Sequence, residues 1–187
     1  MGNQQWIENG WHHFKTITEH KCIVMKECFE VGLYKQGLLH DLSKYTPEEF
    51  MTGVRYYQGN RSPNAAEKEE RGYSRAWLHH KGRNKHHYEY WIDLNADRSR
   101  GLCGMKMPIN YVVEMFLDRM AASKVYNKGH YKDCDSLEYY KRSRNFMMIH
   151  PDSRKLLEHL LVMLARHGEA RTMAYIRHVV LSGKYKY

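Results

Sequence analysis

The sequence predicts an all-α, single-domain protein, and three observations predict it. Nearly every stretch with a clear hydrophobic period repeats every three to four residues, no alternating strand-like pattern occurs, and Pro47, Pro108 and Pro151 each stand where a periodic segment opens. A length of 187 residues suits one domain with a real core, and no repeat, low-complexity tract or linker divides it. The fold expected is a helical bundle over residues 1–187, with a core at about 12–127 and a C-terminal helical extension at about 135–182.

Taken in order, the first helix is expected from about Trp11 to Val31. Its apolar positions Phe14, Ile17, Val24 and Phe29 recur at helical spacing, and Gly32 is placed to end it in a left-handed turn. A short helix from Leu33 carries His40 and Asp41 at its end. Thr46-Pro47-Glu48-Glu49 supplies an N-cap, a proline at N1 and a glutamate at N3. Gln58 to Asn64 reads as a loop, then a helix runs from about Ala65 to near His80. Lys81-Gly82-Arg83-Asn84 turns the chain into a shorter aromatic helix, His86 to Ile92. Asn95 to Met107 reads as a surface loop. Pro108 opens a long helix to about Tyr126, Pro151 another through Leu164, and Glu169 to Leu181 a last one. Leu156, Leu157, Leu160, Leu161 and Leu164 form a broad apolar stripe, suited to covering the core or, in part, to a homodimer interface.

Composition narrows the function classes. Hydrophobic residues make up 42% and charged residues 27%, which excludes a disordered chain. A net charge of +9 and a pI near 9.3 favour anionic partners, although solubility alone accounts for such an excess. Lys and Arg are spread along the chain with only a thin concentration at Lys81, Arg83 and Lys85, so nucleic-acid binding is not the leading reading. The four cysteines form no CxxC pair, Met1 is followed by polar residues, and no run approaches the roughly 18 apolar residues of a membrane span. The expectation is a reduced, cytoplasmic protein without a membrane segment, its cysteines packing thiols.

Four features carry chemistry. The dipeptide His40-Asp41 follows Leu38-Leu39, placing two metal-grade ligands where a buried helix meets a cavity. His20 shares a helix face with Ile17, Ile23 and Val24; alone it reads as an ordinary core histidine. Asp118 stands with Met115, Ala122 and Val125, and a carboxylate on an apolar face is costly unless paired or metal-bound. The cluster His79-His80-Lys-Gly-Arg-Asn-Lys-His86-His87 brackets a turn. Adjacent histidines on a helix diverge by about 100°, so all four cannot face one ion. His80 and His86 are preferred, with His87 as an extra ligand and His79 behind them; a solvated basic loop is the plain alternative. One metal centre would explain all four oddities together, and imidazoles with carboxylates suit one or two divalent transition ions: Zn, Mn or Fe.

The ordered set resembles the HD-domain metallohydrolase superfamily over roughly His20 to Tyr126. His40-Asp41-Leu-Ser-Lys44 is similar to its HD-x-x-K signature. Met107-Pro108 through Asp118 is similar to the proline-opened helix bearing the last ligand in the cyclic-dinucleotide phosphodiesterase branch. His80-x-x-x-Asn84-x-His86-His87 resembles a group of small HD-like proteins more closely. The spacing from His20 to His40 is shorter than usual, and the branch's Gly-Tyr-Pro tripeptide is missing, so a cyclic-dinucleotide substrate is not implied. The resemblance implies that His20, His40, Asp41 and Asp118 form one metal position. It also implies that Asp41 bridges to a second ion held by His80 with His86 or His87. Hydrolysis of a nucleotide or other phosphoester by a metal-activated water would follow, with Asp41 and Lys44 catalytic. Lys44 would contact phosphate, Arg83 would bind phosphate or simply stand exposed to solvent, and Asn84 would contact substrate or fix the turn. Glu49 would orient a ligand histidine or close a capping box. Two other classes use the same residues: a di-iron oxygenase, and a non-catalytic module with a structural metal.

Overall fold

A computed structural model describes residues 2–187. Eight α-helices enclose one continuous core: α1 (Asn3–Val31), α2 (Tyr34–Leu39), α3 (Pro47–Arg55), α4 (Pro63–Arg71), α5 (Arg75–Lys81), α6 (Ile109–Tyr126), α7 (Asp135–Ser143) and α8 (Pro151–Tyr175). A small antiparallel hairpin, β1 (Ile92–Leu94) with β2 (Leu102–Gly104), pairs Ile92 with Gly104 and Leu94 with Leu102. The all-α expectation therefore holds, with this hairpin as the exception. Among the described residues no helix is long and apolar enough to cross a membrane.

The buried line along α1 runs through Asn9, His13, Ile17, His20, Val24, Glu27, Cys28 and Val31, steps of three and four that keep one face inward. Phe14 and Phe29, expected on that face, lie off it at 39% and 37% exposure, packing sideways on Tyr45 and Tyr34. Gly32 ends α1 in the left-handed conformation, φ 89°, as its position predicted. Val24, Cys28 and Val31 of α1 join one apolar cluster with α6 and α8, where Val112, Phe116, Leu117 and Met120 meet Leu156, Leu157, Leu160, Leu161 and Leu164. All five leucines are fully buried within the chain, so that stripe serves the core and leaves nothing for a dimer interface.

Close backbone approach fixes the helices that carry the site. A Cβ at Gly37 would fall 2.9 Å from Cys28 Cβ, so glycine lets α2 lie flush against α1 just before His40. At Gly53 of α3 a Cβ would fall 2.0 Å from His13 Nε2, in a ring already held between Phe50 and Tyr57. Alanine is the better helix former by about 1 kcal/mol, yet Gly53→Ala is expected to destabilise the protein by about 1–3 kcal/mol through overpacking. Urea unfolding checks this; an unchanged or higher midpoint would contradict it.

Several boundaries differ from expectation. The single helix expected over 65–80 is two helices, because Gly72 is left-handed (φ 80°) and the Ser74 hydroxyl caps α5 by accepting from Trp77 N–H at 3.0 Å. The aromatic helix from His86 is only one 3-10 turn, Tyr88–Trp91, leading into β1; the loop expected over 95–107 contains β2. The two last helices form one element whose dihedrals break at Gly168 (φ 78°), within the expected gap.

Candidate metal centre

Four stretches deliver the site. α1 supplies His20, and α6 supplies Glu114 and Asp118 one turn apart on one face. The end of α2 supplies His40 and Asp41. Asp41 is the one non-glycine residue with positive φ (53°) among the described residues, a conformation that aspartate tolerates better than most side chains and that clusters at functional positions. That left-handed residue turns the chain out of α2, so His40 and Asp41 face the same centre instead of diverging as they would on a continuing helix. α5 supplies His79 and His80, and the turn beyond it supplies His86 and His87.

Asp41 lies in the middle, buried at 1% exposure. Its Oδ1 is 3.2 Å from His80 Nε2 and 3.4 Å from His86 Nε2. Its Oδ2 is 3.3 Å from His40 Nε2 and 3.9 Å from His20 Nε2, with Lys44 Nζ at 2.6 Å. Asp118 Oδ1 stands 2.9 Å from His20 Nε2 and 3.5 Å from His40 Nε2. Three groups have ligand atoms within 4.8 Å of one another: His40-His86-Glu114, in which Glu114 Oε1 faces the Nδ1 atoms of the two rings, and two that share Asp41, His20-His40-Asp41-Asp118 and Asp41-His80-His86-His87. Both groups that share Asp41 are positioned to hold a metal ion. Three of the four clustered histidines converge, with His87 as the extra ligand beside His80 and His86, because His86 and His87 sit in a turn where the helical divergence does not apply.

The atoms left without partners fit such an ion. His86 Nε2 and His87 Nε2 are buried without a hydrogen bond, and the buried Asp41 oxygens have only the Lys44 ammonium, 2.6 Å from Oδ2, and the neighbouring imidazoles beside them. Orphaned polar atoms of this kind are costly and demand a partner. The other ring nitrogens face carboxylates: His40 Nδ1 is 3.0 Å from Glu114 Oε1, His86 Nδ1 is 3.2 Å from the same oxygen, and His80 Nδ1 is 2.8 Å from Glu49 Oε2. An Nδ1–H donated to a carboxylate leaves the Nε2 lone pair facing the centre, the tautomer a metal ligand needs. Glu49 therefore orients histidines and closes no capping box; its other oxygen takes His79 Nδ1 at 2.6 Å, which keeps His79 behind the ligands.

The charges are arranged for an ion. Burial and Lys44 hold His20 below its usual pKa, and burial with its neighbours His86 and His80 holds His87 well below it. Burial opposes charge on His40 and His80, but Asp41, Asp118 and Glu114 raise His40 well above its usual value. Asp41 and Glu49 likewise raise His80 to about 9. Without an ion, protons on these rings balance the carboxylates. Because the raised pKa values mean that ions must displace protons from His40 and His80 at neutral pH, apparent metal affinity is expected to climb with pH above about 6. Competition titrations with a metal-binding dye check this; a flat profile would contradict it.

The centre forms the floor of a cleft of about 860 Å³, reached by His20, Asp41, His80, His87 and Asp118. Lys44, 29% exposed, stands in its wall, as do Arg119 and Arg142. Arg83 is not in that wall: it is exposed and donates to the His79 carbonyl at 3.2 Å. Asn84 is buried and donates to Ser43 Oγ and the His80 carbonyl, both at 2.8 Å, which assigns it to fixing the turn. Arg119 makes no ion pair among the described residues, and its Nε is buried without a partner. Glu114 and Arg119 escaped sequence reasoning. The signal for Glu114 was its place four residues before Asp118, a second carboxylate in an otherwise apolar helix.

Fold and site together define a helical protein with two adjoining His/Asp positions for metal at the base of a cleft. The chain belongs to a family of unknown function (DUF5662), whose family model matches residues 9–163 and so takes in every residue of the centre. No curated protein and no solved structure matches it.

Proposed function

We propose that the protein is a metal-dependent phosphohydrolase of the HD type, acting on a phosphorylated anionic small molecule in the cytoplasm. One observation carries the reading: two metal positions sharing Asp41 open on a cleft whose lining includes Lys44, Arg119 and Arg142 among both basic and acidic residues. The unpartnered Nε2 atoms of His86 and His87 support metal binding, and convergence of the ordered set from His20 to Asp118 supports the HD resemblance. Divalent ions held there would supply a water of lowered pKa as nucleophile and a Lewis acid for the phosphoryl group.

The chain's own residues do the rest. Asp41 holds both positions in register, and Glu114 and Glu49 fix the ring tautomers. Burial works against charge on Lys44, but Asp41 and Asp118 outweigh it and raise its pKa, so it stays an ammonium and acts as a fixed charge for phosphoryl oxygens. Arg119 replaces Arg83 as the guanidinium for the anionic substrate.

The experiment is a screen of metal-loaded protein against phosphomonoesters, phosphodiesters and nucleotides. Metal-dependent release of product is expected, with KM raised about tenfold in Arg119→Gln, the loss of one charge-assisted contact. Inactivity with every divalent ion would overturn the proposal. The second reading, a di-iron oxygenase, is favoured by the three imidazoles converging with Asp41 at one position. A visible-region absorption band with oxygen consumption would select it. The open cleft argues against a closed structural metal.

A further inference from the structure

We propose that Glu114 couples the two metal positions, so that divalent ions load as a pair instead of one by one. This rests on the reading that the cluster holds metal. Glu114 is buried at 4% exposure, and its single oxygen Oε1 lies 3.0 Å from Nδ1 of His40 and 3.2 Å from Nδ1 of His86. His40 belongs to one group of ligands and His86 to the other. Their rings also lie against each other, with centroids 4.5 Å apart.

Two consequences follow. An ion that fixes His40 orders its ring against the shared oxygen, which leaves His86 a single orientation. The same ion orients the Asp41 carboxylate through Oδ2, and so places Oδ1 for the second position. The first ion meets the ordering cost and the second does not, which is positive cooperativity without a large movement. Charge opposes the second ion, because the first dication repels it, and the carboxylates of the centre limit that repulsion. Asp41, Asp118, Glu49 and Glu114 bring four carboxylates to the centre, set against two divalent ions and the Lys44 ammonium. Removing Glu114 strengthens the repulsion that the second ion meets. Glu49 lacks this role, because its oxygens reach His79 and His80 and touch ligands of one position only.

The test is a titration of metal-free protein with cobalt(II), followed by its absorption spectrum and by bound metal per chain. Wild type is expected to take up two ions in one cooperative step. Glu114→Met keeps the side-chain volume and removes the acceptor; it is expected to weaken both positions by about 10- to 100-fold, the cost of losing a histidine's orienting partner. Glu49→Met should weaken one position only. Glu114→Gln keeps an acceptor oxygen and removes the charge, so two separate steps are expected, and it serves if the methionine variant does not fold. A merely structural Glu114 would lower the melting temperature without splitting the steps. The proposal is overturned if the cooperative step survives these substitutions, if Glu114→Met loses one ion while the other binds as in wild type, or if wild type binds a single ion. Wild type that binds no cobalt would overturn the metal centre itself.

Discussion

Asp41→Ala is expected to leave the protein without bound transition metal. Asp41 gives one oxygen to each position, Oδ1 toward His80 and His86 and Oδ2 toward His40 and His20, so one substitution removes a ligand from both. It also strands Lys44, whose ammonium has Asp41 Oδ2 at 2.6 Å. Alanine at a positive φ adds a backbone cost of about 1 kcal/mol, which Asp41→Gly avoids. Metal loss in the glycine variant with its fold intact would assign the loss to the carboxylate and not to the turn. His40→Ala should lose most of its metal as well. Elemental analysis of the purified variants checks this, and metal retained undiminished in Asp41→Ala and His40→Ala would refute the assignment.

The second large effect is expected at Lys44. In Lys44→Met the metal should remain, since Lys44 is not a ligand and its removal takes away a cation that competes for Asp41. Hydrolysis should fall by about 10²- to 10³-fold in kcat, the usual cost of deleting one charge-donating group from a transition state. Metal content and kcat measured on the same sample separate the two roles. An unchanged kcat would mean that Lys44 never touches the phosphoryl group, and loss of metal would make it a structural partner of Asp41.

The residues of the centre were readable because each one offends a local rule. Asp118 breaks an apolar helix face, His20 stands between Ile17 and Val24, and His40-Asp41 ends a run of leucines. Metal ligands have to be polar where packing calls for apolar groups, and that conflict shows in a linear pattern. His86 and His87 were harder, since their convergence depends on a turn and the expected helix would have sent them apart. Arg83 misled because a basic residue beside the cluster in sequence points away from it in space, whereas Arg119 enters the cleft from α6. Glu114 left only a faint trace, because one glutamate in a long helix reads equally well as a solvated position. The break at Gly72 was visible in Gly72-Tyr73-Ser74 as a stop and a cap, but the surrounding helical pattern masked it. The hairpin of β1 and β2 is too short for alternation to register.

The most direct measurement is anomalous X-ray scattering from crystals of the protein purified without added metal, recorded at the absorption edges of zinc, iron and manganese. A peak is expected about 2.0–2.2 Å from Asp41 and from the Nε2 atoms of His40 or His80, with a second peak on the other side of the same carboxylate. Clean density for Asp41 with no anomalous peak beside it, and with the buried histidines bonded to one another or to water, would contradict a metal centre.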